Sequence, residues 1–254
     1  MFKTKKRFNG KFAFATDIGK IRINNEDQAL ALTNTNGDVL LVVCDGMGGQ
    51  NKGDLASSLA IHVVRDEFKE VNKFHNLLHI RWWLNETLKL ANQTVYSDAN
   101  RNPSYKGMGT TLSLVVIYKK YIIIANVGDS RVYRYSSNGF EQLTEDQTYV
   151  GYLYRTGQIK KEEMKTHPKR SILMNALGIY PTLNVDFTIK KYYGETLLVC
   201  SDGLYNNADD NAVVSILNNN DAVEQKVNEL ISVANNNGGS DNIAIALWES
   251  YNAD

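Results

Sequence analysis

The chain has 254 residues, 43% of them apolar, which is enough for one large domain with a sizeable core. Its 28 basic residues equal its 28 acidic ones, so no global field draws it to nucleic acid or to an anionic membrane, and recognition has to be local. The basic start at Lys3, Lys5, Lys6 and Arg7 is not followed by a long apolar stretch, which reads against a signal peptide or membrane span and gives the expectation of a soluble, cytoplasmic protein.

Residues 12–16 and 29–33 read as strands around a polar connection, 17–27, that is long for a simple hairpin. Residues 39–44 form a buried strand run ending at Asp45-Gly46. Helical spacing puts Leu55, Leu59, Val63, Phe68 and Val71 on one stripe of 54–72. The same spacing puts Ile80, Trp83, Leu84, Leu88, Ala91 and Val95 on one stripe of 77–99. Residues 111–118, 121–127 and 131–135 read as a meander of antiparallel strands, turned at Lys119-Lys120 and at Gly128-Asp129-Ser130. Over 145–167 the pattern weakens, Gly151 and Gly157 offer hinges, and a mobile flap is expected, with 151–167 as its span. Strands return at 184–190 and 196–200, helices at 208–217 and 222–235, and a final strand at 243–248. Strands in runs and helices in pairs favour an α+β sandwich over an alternating parallel fold, and without repeats or a linker 1–254 reads as a single domain.

Four strands end or begin with an aspartate: Asp45, Asp129 and Asp202 follow apolar runs, and Asp241 precedes one. Oxygen-only acids converging on one end of a sheet describe a site for hard divalent cations. Each motif alone has a plainer reading. Arg22 with Glu26 and Asp27 fits a surface ion pair as well as a phosphate fork beside a cation site. Gly128-Asp129-Ser130-Arg131 fits a turn, and Ser201-Asp202-Gly203 and Ser240-Asp241-Asn242 fit a cap or a turn. Asp45-Gly46-Met47-Gly48-Gly49 competes with a dinucleotide loop, but Asn51 stands where its third glycine belongs and Asp45 would repel a pyrophosphate. Cys44 and Cys200, on apolar strands without metal-ligand spacing, read as reduced packing residues. What shifts the weight is number, order and separation together.

In order, Asp17-x-Gly19-x-x-Arg22-x-x-Asn25-Glu26-Asp27, Asp45-Gly46-Met47-Gly48-Gly49, Gly109-Thr110-Thr111, Val127-Gly128-Asp129-Ser130-Arg131, Ser201-Asp202-Gly203 and Ser240-Asp241-Asn242 resemble the blocks of metal-dependent type-2C protein serine/threonine phosphatases, bacterial branch. The resemblance covers nearly the whole chain. It implies a four-layer α-β-β-α sandwich of two antiparallel sheets flanked by helices, and hydrolysis of phosphoserine and phosphothreonine on proteins by direct attack of a hydroxide bridging two ions. Carried over by position, Asp45 would bridge two Mn2+ or Mg2+ ions, Asp202 and Asp241 would hold the first, and Glu26 with the Gly46 carbonyl would serve the second. Asp129 with Asp202 would hold a weaker third ion, Arg22 would clamp the substrate phosphate, and Asp17, Asp27 and Asn242 would support the ligands from behind. Implied partners are phosphorylated proteins and an opposing serine/threonine kinase in signalling, with no nucleic acid, no membrane and a monomeric state. Two departures stand out. Met47 replaces a histidine proposed as proton donor in many eukaryotic members, and Gln147 replaces a histidine common after Glu145-Asp146. None of the four histidines carries a motif-based role. Rival readings are a phosphoprotein-binding pseudophosphatase and a metal-free glycosidase with paired carboxylates.

Overall fold

The computed structural model describes residues 8–48 and 52–251; Lys3, Lys5, Lys6, Arg7, Gly49 and Asn51 lie outside them. In chain order the elements are β1 (Gly10–Asp17), β2 (Asp27–Thr33), β3 (Val39–Met47), α1 (Gly53–Glu70), α2 (Leu77–Arg101), β4 (Gly109–Thr110), β5 (Leu112–Tyr118), β6 (Tyr121–Val127), β7 (Arg131–Ser136) and β8 (Gly139–Gln142). There follow α3 (Tyr149–Arg155), α4 (Lys161–Met164), β9 (Asp186–Lys191), β10 (Thr196–Cys200), α5 (Asp202–Tyr205), α6 (Asp210–Leu217), α7 (Val223–Asn236) and β11 (Ile243–Ser250).

One sheet runs β1-β11-β10-β7-β8 and the other β2-β3-β5-β6-β9, with β4 paired to the end of β3, and every pairing is antiparallel. Side chains alternate across a strand, so a strand covered on both faces reads as an unbroken apolar run. On β3, Val39, Leu41 and Val43 enter the layer between the sheets, while Leu40, Val42 and Cys44 pack beneath α1 and α2. On β11, Ala244, Ala246 and Trp248 face the other sheet and Ile243, Ile245 and Leu247 face α6 and α7. Three apolar layers between four layers of structure give the α-β-β-α sandwich expected from the sequence. No helix among the described residues is long and apolar enough to cross a membrane.

Three local expectations change. The buried face of α1 is Ala56, Ala60, Ile61, Val64 and Phe68, whereas Leu55, Leu59 and Val63 lie partly buried on its flank. Small residues decide this, because Ala56, Ser57 and Ala60 let the helix lie close to the sheet, where the Ser57 hydroxyl donates to the Glu26 carbonyl at 2.6 Å. The meander is also broken. β5 and β6 are neighbours, but β6 goes on to pair with β9, and β7 lies in the opposite sheet between β10 and β8. Gly128-Asp129-Ser130 is therefore a crossing between sheets rather than a hairpin turn. Gly128 makes the crossing at φ 98°, where a Cβ would stand 2.6 Å from the Thr111 methyl. Finally, the segment expected to be irregular carries α3 and α4. Thr148 caps α3 by accepting the Gly151 N–H at 3.0 Å, and Gly151 is buried in that helix rather than placed as a hinge.

Candidate metal centre

Antiparallel pairing carries the scattered acids to one end of the sandwich. Asp27 at the start of β2 stands opposite Asp45 near the end of β3, and Asp17 at the end of β1 stands opposite Ile243 at the start of β11. Asp129 follows β6, Asp202 follows β10 and Asp241 precedes β11, so each leaves its sheet at that same end.

Main-chain contacts set the positions. The Asp45 N–H donates to the Thr111 hydroxyl at 2.9 Å, and its carbonyl accepts from the Thr111 N–H at 2.8 Å and the Thr110 hydroxyl at 3.0 Å. Gly46 follows because nothing larger fits, since a Cβ there would lie 2.2 Å from the Gly53 carbonyl and 2.5 Å from that of Glu26. Gly203 is held likewise, its absent Cβ pointing at the Asn242 carbonyl 1.9 Å away. The Glu26 carboxylate accepts the Gly53 N–H at the start of α1, where the helix dipole favours an anion.

Asn242 organises the polar connection. Its side-chain carbonyl accepts the Glu26 N–H at 2.9 Å, and its amide donates to the Ile18 and Asn24 carbonyls, each at 2.9 Å. Asp17 accepts from the Gly19 N–H at 2.8 Å and the Asn235 amide at 2.9 Å, which ties this connection to α7. Arg22 is half-exposed at the mouth and donates to Asp241 at 2.7 Å. Asp27, only 2% exposed, accepts a 2.6 Å bond from the Ser201 hydroxyl, which also receives the Ala244 N–H at 2.8 Å. That hydroxyl joins one sheet to the other.

The electrostatics are those of an anion cluster short of positive charge. Burial, and then the charges of Asp27, Asp202, Asp129 and Asp241, push the Asp45 carboxyl well above the ordinary carboxylate range. Burial is also the main cause that raises Asp27 to about 8, Asp129 to about 7 and Asp202 to about 6. Glu26 is raised by burial and by Asp54, with Arg22 opposing. Burial lowers the Arg22 guanidinium, but Asp241, Asp202 and Asp45 outweigh it and raise it overall. Among the described residues no three acidic, histidine or cysteine side chains stand as a closed coordination group; Asp241 turns to Arg22, and Asp202 accepts from Asn206 at 3.1 Å. An open set of oxygen donors that repel one another fits hard divalent cations, and it does not fit a soft or thiolate-seeking metal.

Beyond Asp17, Asp27 and Asn242, a further set of supports carried no role in the sequence reading. Arg131 forms a two-pronged pair with Asp146, 2.9 Å from Nε to Oδ1 and 2.7 Å from the second prong to Oδ2, and its guanidinium lies 3.5 Å from the Tyr205 ring centre. Tyr205 in turn donates to the Asp129 carbonyl at 3.2 Å. The Ser130 hydroxyl shares a 2.7 Å bond with Thr111, and Ser113 donates to the Ser130 carbonyl at 2.7 Å. Cys44 and Cys200 are buried free thiols, as expected, and burial raises both, Cys200 to about 12. Thiols so held are inert.

Residues 21–247 match the protein phosphatase 2C family. A serine/threonine phosphatase, stp, of Listeria welshimeri is 38% identical over 237 residues, covering 93% of this chain and 94% of that protein. The crystal structure of the serine/threonine phosphatase Stp1 from Staphylococcus aureus superposes with a TM-score of 0.89 at 34% identity, covering 98% of this chain and 97% of that one. The catalytic domain of the serine/threonine protein phosphatase PstP, solved in complex with two manganese ions, superposes with a TM-score of 0.83 at 28% identity, covering 95% and 98%.

Proposed function

The chain belongs to the protein phosphatase 2C family, and from that premise we infer that it removes phosphate from phosphoserine and phosphothreonine on proteins by direct, metal-assisted attack of water, opposing a serine/threonine kinase. It is a bacterial-type protein serine/threonine phosphatase, a hydrolase of a metal-dependent family. Asp45, Asp202 and Asp241, with Glu26 and the Gly46 carbonyl, would hold two Mn2+ or Mg2+ ions, and Asp129 beside Asp202 would serve a weaker third. When bound, such ions supply Lewis acidity, lowering the pKa of coordinated water and drawing charge from phosphoryl oxygens.

The chain's own residues do the rest. Arg22, anchored by Asp241 and half in solvent, presents a planar fork that takes two phosphate oxygens through parallel N–H bonds. Both thiols are buried and held protonated, which removes a cysteinyl phosphoenzyme and favours direct attack by water, and Met47 has no proton to give the leaving seryl oxygen. Asn242 and Asp17 keep the Arg22 connection in shape while substrate enters. Residues 151–167, carrying α4 and the end of α3, would border the groove for the peptide. Action in the cytoplasm as a monomer completes the reading.

The observation that carries it is the convergence of Asp45, Asp129, Asp202 and Asp241 on one end of the sandwich, where the charges of the other three raise the Asp45 carboxyl and divalent cations would relieve the repulsion. The test is hydrolysis of phosphothreonine peptides with Mn2+ or Mg2+, and its loss on chelation and in Asp45→Ala or Asp202→Ala. Full turnover after exhaustive chelation would exclude the metal mechanism.

A further inference from the structure

Gln147 is a buried amide whose donors and acceptor are all engaged. Its Oε1 accepts the Gly128 N–H at 2.8 Å and the Asn175 amide at 2.8 Å. Its Nε2 donates to Asp186 at 2.6 Å and, more weakly, to the Asn126 carbonyl at 3.4 Å. Its backbone N–H donates to the Gly128 carbonyl at 3.0 Å and its own carbonyl accepts from Met174 at 2.8 Å. One residue therefore grips both polar groups of Gly128, next to Asp129, and also holds the return of the flap segment at Met174-Asn175 and the start of β9.

We propose that Gln147 is a positioning residue that sets the Asp129 carboxylate by clamping the Gly128 peptide to Asn175 and Asp186. This rests on the reading of Asp129 as a metal-binding acid. Gly128 is where the chain crosses between sheets, so without ladder pairing its N–H depends on this amide. The site asks for an acceptor on one side and a donor on the other, which an amide supplies, as a neutral imidazole could but a carboxylate or a hydrocarbon could not. Gln147, Asn175 and Asp186 also line a cavity of about 420 Å³, so water can reach partners orphaned by substitution and the variants can fold.

The test uses two readouts, amide exchange at Gly128 in the metal-free protein and the Mn2+ concentration for half-maximal activity. Gln147→Leu should speed Gly128 exchange about tenfold and raise the half-saturating Mn2+ about tenfold, the scale at which supports behind a metal ligand act. Gln147→Glu keeps an acceptor for the Gly128 N–H but sets its carboxylate against that of Asp186, and should move both readouts in the same direction by a smaller factor, above about threefold. Gln147→Glu combined with Asp186→Asn exchanges donor for acceptor and should bring both readouts back to within about twofold of wild type. Unchanged Gly128 exchange in Gln147→Leu would overturn the proposal. So would faster exchange with unaltered Mn2+ dependence, or absence of rescue in the paired variant. A wild-type protein without Mn2+-dependent activity would sink the functional reading instead, and the two failures are separable because amide exchange needs no turnover.

Discussion

Replacing Asp129 by asparagine should make the metal-free protein more stable, by an amount that grows with pH. The Asp129 carboxyl is pushed from 3.8 to about 7, first by burial, then by Asp202 and Asp146, with Arg131 opposing. Below pH 3.8 the group is protonated both folded and unfolded, and its charge costs nothing. Between 3.8 and about 7 the folded state binds the extra proton, so stability falls as pH rises, and above 7 the loss is complete. At about 1.4 kcal/mol per pH unit, that interval corresponds to about 4 kcal/mol. Partial exposure of Asp129 screens its charge and brings the expected gain to about 2 kcal/mol. Urea unfolding of chelated protein should therefore show Asp129→Asn more stable by about 2 kcal/mol at pH 8 and by under about 1 kcal/mol at pH 5. For a chain of this length the pH 8 difference is about 5 °C in Tm. Excess Mn2+ should narrow the gap, because the cation stabilises the wild type by mass action and neutralises the charge at issue. A variant no more stable than wild type at pH 8, or equally stabilised at both pH values, would refute the claim that this carboxylate is held against its charge.

Arg22→Ala should raise KM for phosphopeptide about 10- to 100-fold, as expected for losing a charge-assisted fork, with a smaller fall in kcat; an unchanged KM removes the clamp role. Arg131→Ala should cost about 3 kcal/mol in chemical unfolding, since it leaves Asp146 without its two-pronged partner and Tyr205 without its cation, and a loss under about 1 kcal/mol would mean the pair is ornamental. Tyr154→Ala, at an exposed position of α3, should change preference among phosphopeptides more than turnover of a small aryl phosphate. Equal effects on both substrates would count against a groove at this helix.

Long apolar runs made the sandwich legible, because β3, β5, β6, β10 and β11 are covered on both faces and cannot afford polar alternation. α2 was legible for a similar reason, its stripe being made of large side chains. α1 was misjudged by about one position because alanine and serine weigh little in a hydrophobic pattern yet decide how closely a helix can lie. The crossing at Gly128 carries the same local chemistry as a turn, and only the distant partners β9 and β10 distinguish the two. β8 is four residues long and mostly exposed, too short for alternation to register. Of the site, the acids announced themselves by standing at strand ends. Arg131 and Gln147 stood out as positions but not in their roles, and Asp146 and Tyr205 not at all, because the pairing and the clamp join residues whose nearness depends on the closed fold.

Gly46 and Gly203 give the acid cluster a particular kind of robustness. Each follows its aspartate, and each is wedged against peptide atoms of a neighbouring segment, Gly53 and Glu26 in one case and Asn242 in the other. The backbone beside Asp45 and beside Asp202 is thus fixed locally by main chain touching main chain, with no side chain between them to adjust. A methyl group at either position would have to push a peptide aside, so the acid next to it would move with its own backbone.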